Sequence, residues 1–513
     1  MPRKWLSIGM PIGIVLFTIL LLWLALERHQ FDFIYPLDDA YIHLAIAKNL
    51  ILHGNWGMSP DQFHFSSSSP GYTLLLALGY GITGTNVWMP LLINGLVAVA
   101  TWIWIYRIFP ARKSIWTGVI FFLAPVPLLF LCGMEHLIQC SVCMLLLWKT
   151  TEYLDKETNN PWQILVFAFL AVLFRYEGLF LIVAISVLAI LLQKKKFAAL
   201  LMLAGTMPVL ISGGLSLYAG GTFLPLSIWM KGHSPGVSVS ELGQWLATGI
   251  GRLYDNPFIL VLGIALLILA GAAAHRHKNW KNATTICCSI VLLNLIIHAL
   301  FAEIGGYRYE AYLICMGILC IAQGVERNNF FDLFRLTVPS RFFILGAVAL
   351  LLFPLLVRVV FFYINYPLAT QNIYHQHIQM AKFLQQYDSD SRIAVNDIGA
   401  VSFFTKVQLL DLLGIANEEV ASLRKQNQYS ANEVLRISTQ QKIRLAVVHE
   451  EWVGIYLPEN WQKIASWTIP DNFICAFETV SWYAVNPEET ERLRQALKEF
   501  EPSLPKGISV EYH

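Results

Sequence analysis

Arg107-Ile108-Phe109-Pro110-Ala111-Arg112-Lys113 follows an apolar run over residues 87–106. A membrane helix needs about 20 predominantly apolar residues, so that run is long enough to be one. Cytoplasmic loops collect Lys and Arg, which puts the basic cluster inside. Upstream, Met1-Pro2-Arg3-Lys4 precedes an apolar run over residues 5–26. This run is long for a signal-peptide core and no small-residue cleavage site follows it, so it reads as an uncleaved first span with a cytoplasmic start. A crossing at 72–82 would move the cluster outside. Residues 72–84 are therefore expected to be interfacial or re-entrant, and 87–106 to be the second span.

With that parity the later basic segments fall inside: Lys149 to Lys156, Lys194-Lys195-Lys196, Arg276 to Lys281, and Arg327 to Arg341. The loops 133–135, 175–178, 220–256 and 303–310 fall outside. The remaining spans are expected near 115–132, 136–150, 161–175, 178–193, 197–218, 257–274, 284–301, 308–324 and 342–363. About eleven spans, an odd number, leave residues 365–513 outside. There, amphipathic patterns alternate with short β-branched runs. A helix is expected near 370–387, strands at 392–395, 407–411, 444–448 and 480–485, and a charged helix over 487–500. The predicted fold class is mainly α: a polytopic transmembrane helical bundle over 1–364, with an external loop at 28–86, and a C-terminal extracytoplasmic α/β domain over 365–513.

Composition agrees. Of 513 residues, 56% are hydrophobic and 14% charged, against about a quarter charged in a soluble domain. The net charge of +2 says almost nothing about partners, and nucleic acid is not expected among them. Seven of the eight cysteines lie in or beside apolar runs, where they read as small packing residues rather than a disulfide framework.

In so apolar a chain, Asp38 and Asp39 stand out. One Asp ahead of a helix starting near Ala40 is explained by capping. The second invites a role as a base for an acceptor hydroxyl or as a ligand for a divalent cation. His43 follows Asp39 by one helical turn, on the same face.

The order DDAYIHLAIAKNLILHGNWGMSP over residues 38–60, then SSSSPGYTLLLAL over 66–78, resembles the first external loop of bacterial GT-C membrane glycosyltransferases. That group takes in the protein mannosyltransferases, the aminoarabinose transferases and the mycobacterial terminal arabinofuranosyltransferases. Gly133-Met134-Glu135 resembles the family's second acidic loop, and Arg175-Tyr176-Glu177-Gly178 its Arg-Pro-Glu-Gly. Phe223-Leu224-Pro225 through Lys231 resembles a loop ending in a lysine that faces the donor phosphate. Gly306-Tyr307-Arg308-Tyr309 resembles its Gly-Arg-Tyr, and Asn396-Asp397-Ile398-Gly399-Ala400 with Leu410 to Gly414 resembles a pattern of the outer domain. Ala45 stands where relatives often have Arg, Tyr176 replaces a Pro, and Leu226-Ser227 replace a usual Asn-Thr. These departures bear on which sugar is carried more than on the reaction class.

The resemblance implies sugar transfer from a polyprenyl-phosphate donor to a glycan, lipid or protein acceptor on the outer face of the plasma (inner) membrane. Asp38, aligned with the first acid of the family pair, is the expected base. Asp39 would orient the site or hold a divalent cation with Asp38, and the sequence leaves that metal open. Arg175, Lys231 and Arg308 would bind the donor phosphate, supported by Glu135, Glu177 and His43. A transporter or flippase of lipid-linked saccharides is the alternative. It would place ionisable residues near the bilayer midplane and often carries inverted repeats.

Overall fold

The computed structural model describes all residues except 1, 30–31, 110–112, 157–159, 234–237, 329–337 and 388–390, and the backbone alone for 2–11, 113–114, 156, 328 and 338–351. Arg112 of the basic cluster and residues 329–337 of the expected Arg327–Arg341 segment lie outside the described residues. The first 373 residues are helical: α1 Pro2–Arg28, α2 Asp39–His53, α3 Pro70–Thr83, α4 Met89–Ile108, α5 Lys113–Leu123, α6 Val126–Leu131, α7 His136–Lys156, α8 Trp162–Phe174, α9 Gly178–Leu191, α10 Lys195–Tyr218, α11 Leu226–Lys231, α12 Val239–Asp255, α13 Pro257–His277, α14 Ala283–Phe301, α15 Ala311–Asn328 and a long helix Val338–Ile373.

By length and composition, α4, α10, α13, α14 and the segment Leu352–Tyr387 are able to cross a membrane, and α8 and α9 are shorter apolar helices. Their outward side chains are apolar: Leu96 is 66% exposed, Leu203 58% and Leu267 64%. Such surfaces are costly in water and at home in lipid. The chain is a multi-pass membrane protein. The expected span at 115–132 is in fact two helices. Pro125 lacks an amide hydrogen and its ring clashes with the preceding turn, so the helix stops and restarts there. The 14 residues of α3 reach about 21 Å, against about 30 Å of hydrocarbon. It buries Tyr72, Leu76 and Tyr80 while exposing Leu74, Leu78 and Ile82.

The long helix runs on past residue 364 and, through one wide turn at Tyr374–Ile378, into the helix Gln379–Tyr387. Beyond it lies a six-stranded sheet of order β2-β1-β3-β5-β4-β6. Its strands are β1 Arg392–Val395, β2 Gln408–Asp411, β3 Leu445–Val448, β4 Gln462–Thr468, β5 Thr479–Ala484 and β6 Ser509–Tyr512. β2, β1 and β3 run parallel and the other three join antiparallel. One face packs on the helix Gln379–Tyr387, with Phe383 against Trp482 at 4.7 Å. The other buries Val434 and Ile437 from the helix Ala431–Gln440. The long helix is stitched to the β4–β5 connection: Asn372 donates to the Asp471 carbonyl (3.2 Å) and accepts from the Phe473 amide (2.8 Å).

Candidate functional site

Asp38 ends the loop before α2 and Asp39 is that helix's first residue, and the two side chains have separate partners. Asp38 caps a helix, but not its own. Its Oδ2 accepts from the Gly399 amide and its Oδ1 from the Ala400 amide, both at 2.7 Å, at the start of the outer-domain helix Gly399–Phe404. At the far end of that helix, Lys48 donates to the carbonyls of Ser402, Phe403 and Thr405 at 2.9, 2.6 and 3.1 Å. A carboxylate at the N-terminus and an ammonium at the C-terminus both complement the helix dipole. Thus α2 and the residue before it bolt the sheet domain to the bundle. Burial pushes the Asp38 carboxyl up to about 6, opposed by His377 and assisted by Asp397.

Asp39 instead faces a cavity of about 320 Å³. Arg308 donates to its Oδ2 at 2.6 Å. Burial works against the Asp39 charge, yet Arg308 and Lys231 outweigh it and hold the carboxyl down at about 2. Arg308 also donates to the Tyr309 hydroxyl (3.1 Å) and lies over that ring. The loop that presents it turns through Gly305, Gly306 and Tyr307, all at positive φ. It is anchored by Glu310, whose carboxylate accepts from the Gly305 amide at 2.9 Å and pairs with buried Arg358.

A second cluster lines the opposite wall. Arg175 donates to Glu135 and Glu177, each at 2.5 Å. His43 Nε2 stands 3.3 Å from the other Glu135 oxygen, while its Nδ1 meets Thr73 (3.1 Å) and Ser67 (3.3 Å). Glu135 is fully buried; burial opposes its charge, but His136, His43 and Arg175 keep it well below the usual carboxylate range. Arg175 is therefore largely committed. Lys231, at the end of α11, projects into the same cavity and has no ion-pair partner among the described residues.

The structure thus brings Asp39, His43, Arg175, Glu177 and Lys231 around one cavity, with Arg308 and Glu135 directly behind, and directs Asp38 to the domain contact. Ile415 of the outer domain closes one side. Sequence reasoning quoted Tyr309 in a motif but gave it no role; its ring lies 4.8 and 5.5 Å from the two arginines. It missed a group of His377, Asp397 and His449 whose ligand atoms lie within 4.8 Å of one another. Asp397 was legible only as part of an outer-domain pattern, and the histidines carry no local signal.

Among known proteins, residues 371–485 match a family model described as Domain of unknown function (DUF8728), a segment that contains all three of these residues. No curated protein matches the chain by sequence. Two solved structures of ArnT from Cupriavidus metallidurans share its fold. The one bound to undecaprenyl phosphate covers 93% of this chain and 98% of its own, at 13% identity and a TM-score of 0.53. The apo one covers 94% and 99%, at 12% identity and a TM-score of 0.52. The Archaeoglobus fulgidus oligosaccharyltransferase in complex with Zn and sulfate aligns over 97% of this chain and 74% of its own, at 10% identity and a TM-score of 0.47. The fold is the GT-C type implied by the sequence resemblance, with its helical bundle and C-terminal sheet domain.

Proposed function

We propose that this chain is a membrane glycosyltransferase that moves a sugar from a polyprenyl-phosphate donor to a hydroxyl acceptor outside the membrane. The observation that carries the reading is the Asp39–Arg308 pair at 2.6 Å, beside a cavity that Lys231 enters without an ion-pair partner among the described residues. A structure of the same fold holding undecaprenyl phosphate supports the donor class.

In this mechanism Lys231 meets the donor phosphate, and Arg308, directly behind Asp39, adds positive charge to it. Arg308 then shares its charge between phosphate and Asp39, which relieves the depression of the Asp39 carboxyl and makes it a stronger base. The acceptor oxygen bonds to the anomeric carbon as the carbon–phosphate oxygen bond breaks. Asp39 takes the hydroxyl proton, and the polyprenyl phosphate leaves with the bonding electron pair, its charge stabilised by the two cations. Arg175, locked between Glu135 and Glu177, shapes the wall and contributes field more than direct contact. His43 holds Glu135 in place. The base role expected for Asp38 passes to Asp39, because both Asp38 oxygens are taken by outer-domain amides. The acidic pair does not fit a shared cation: its two carboxylates serve different partners.

The proposed setting is the plasma (inner) membrane, with the N-terminus cytoplasmic and the sheet domain outside. Its support is that residues from every loop expected outside line the Asp39 cavity or contact its lining. Arg107, Lys149 and Glu152 from the inner side instead border a separate depression.

Purified protein offered polyprenyl-phosphate sugars and a crude envelope acceptor tests the proposal. Asp39→Asn should lower transfer by about 10²–10⁴-fold, the range for loss of a general base. Asp38→Asn should act more weakly, through positioning. Equal transfer by wild type and Asp39→Asn would remove Asp39 from the chemistry. Movement of lipid-linked sugar across liposomes without any transfer would make the protein a transporter instead.

A further inference from the structure

We infer that His377, Asp397 and His449 form a transition-metal site, for Zn²⁺ or a cation of similar preference, at the junction of the long helix and the outer sheet. The site is independent of the sugar-transfer reading. Its ligands come from three elements: His377 from the wide turn Tyr374–Ile378, Asp397 just after β1, and His449 just after β3. β1 and β3 are neighbouring parallel strands, and β2 lies on the far side of β1. The crevice at their carboxyl ends is thus a topological switch point, where α/β sheets place their ligands.

The hydrogen-bond geometry of His449 is the decisive detail. Its Nδ1 lies 2.7 Å from the Thr479 carbonyl oxygen. A carbonyl only accepts, so the Nδ1 proton is spent there and a neutral ring offers a bare lone pair at Nε2. That Nε2 is buried, makes no hydrogen bond, and stands 3.0 Å from Asp397 Oδ2. Two lone pairs at this distance repel unless a positive species lies between them. His377 Nε2 lies 3.4 Å from the same Oδ2, with its Nδ1 3.8 Å from Cys475 Sγ, and the three ligand atoms lie within 4.8 Å of one another. His377 is 3% and His449 1% exposed, so bulk water has little access to these donors. One divalent cation would meet the carboxylate and both rings at once.

The donor spacing agrees. Zn–N and Zn–O bonds of about 2.0–2.1 Å in a tetrahedron separate neighbouring ligand atoms by about 3.3 Å, against 3.0 and 3.4 Å here. The Thr479 carbonyl plays the orienting part that backbone oxygens commonly play behind a metal-bound histidine. Two histidines and one carboxylate leave one position of a four-coordinate shell to solvent. The ion would tie the end of the long helix to β1 and β3, two residues before Gly399, where Asp38 is held. Its effect is therefore expected on how firmly the outer domain sits over the cavity.

Full-length protein in detergent, loaded with Zn²⁺ and desalted, should retain about one Zn²⁺ per chain by elemental analysis. His449→Ala and Asp397→Asn should each retain less than about a fifth of that, while Asp39→Asn retains the wild-type amount. Added chelator should lower the thermal midpoint of wild type and leave that of His449→Ala where it is. Should those variants fail to fold, Co²⁺ titration of wild type gives the same answer: visible bands that excess Zn²⁺ displaces support the site. Wild type that keeps no Zn²⁺ and shows no Co²⁺ bands, or variants that keep as much as wild type, would overturn it in favour of a protonated histidine–carboxylate cluster.

Discussion

Neighbouring carboxylates on one turn titrate in opposite directions here. Burial lifts Asp38 to about 6, whereas Arg308 and Lys231 hold Asp39 at about 2 against the same penalty. For Asp39 the folded value lies below the ordinary 3.8. Its ion pair therefore contributes stability that is fully present above 3.8 and is lost as pH falls toward 2. The thermal midpoint of wild type minus that of Asp39→Asn should be constant above about pH 5 and shrink between about pH 4 and pH 2. A difference that varies between pH 6 and 8 would show that Arg308 does not control this carboxyl. The sequence showed an acidic pair and three outer cations, because charge is rare in an apolar chain. It did not show which Asp does which job, since the partners of Asp38 lie 361 and 362 positions away.

The helix Gly399–Phe404 is held at both ends by α2, and the fit at its first residue is tight. A methyl group on Gly399 would come within 2.1 Å of the Asp38 carbonyl oxygen, a backbone atom with little room to move. Gly399→Ala should therefore break the two amide bonds to Asp38. Hydrogen bonds to charged groups contribute about 1.5–3 kcal/mol each, so a loss of about 3–6 kcal/mol is expected on thermal unfolding, together with faster proteolysis of the sheet domain. An unchanged midpoint would mean that the contact is dispensable. Elements of this kind are hard to read beforehand: six residues give too little periodicity, and the glycine's role depends on a distant chain segment. β4 and β6 escaped for related reasons. β4 buries four consecutive residues instead of alternating, and β6 is a four-residue edge strand. The long apolar helices and the strands β1, β2, β3 and β5 were legible because their apolar runs match their own lengths.

Across the whole molecule, the cavity joins several loops of the bundle to Ile415 of the sheet domain, so a bound lipid phosphate would clamp segments that are far apart in the chain. A ligand that binds only the folded state raises the unfolding midpoint with concentration. Polyprenyl phosphate should do so for wild type, and Lys231→Ala should need about tenfold more lipid for the same shift, equivalent to about 1.4 kcal/mol. The same dose curve for both would place the phosphate elsewhere.

The segment Leu352–Tyr387 has 36 residues, or about 54 Å of helix, against about 30 Å of hydrocarbon. It works as a gauge rod between lipid and sheet. Each residue inserted along it would raise the sheet by about 1.5 Å and swing it by about 100°, parting Asp38 from Gly399. The rod can accept many changes of side chain but not of length, so the height of the sheet over the bundle is written into a residue count.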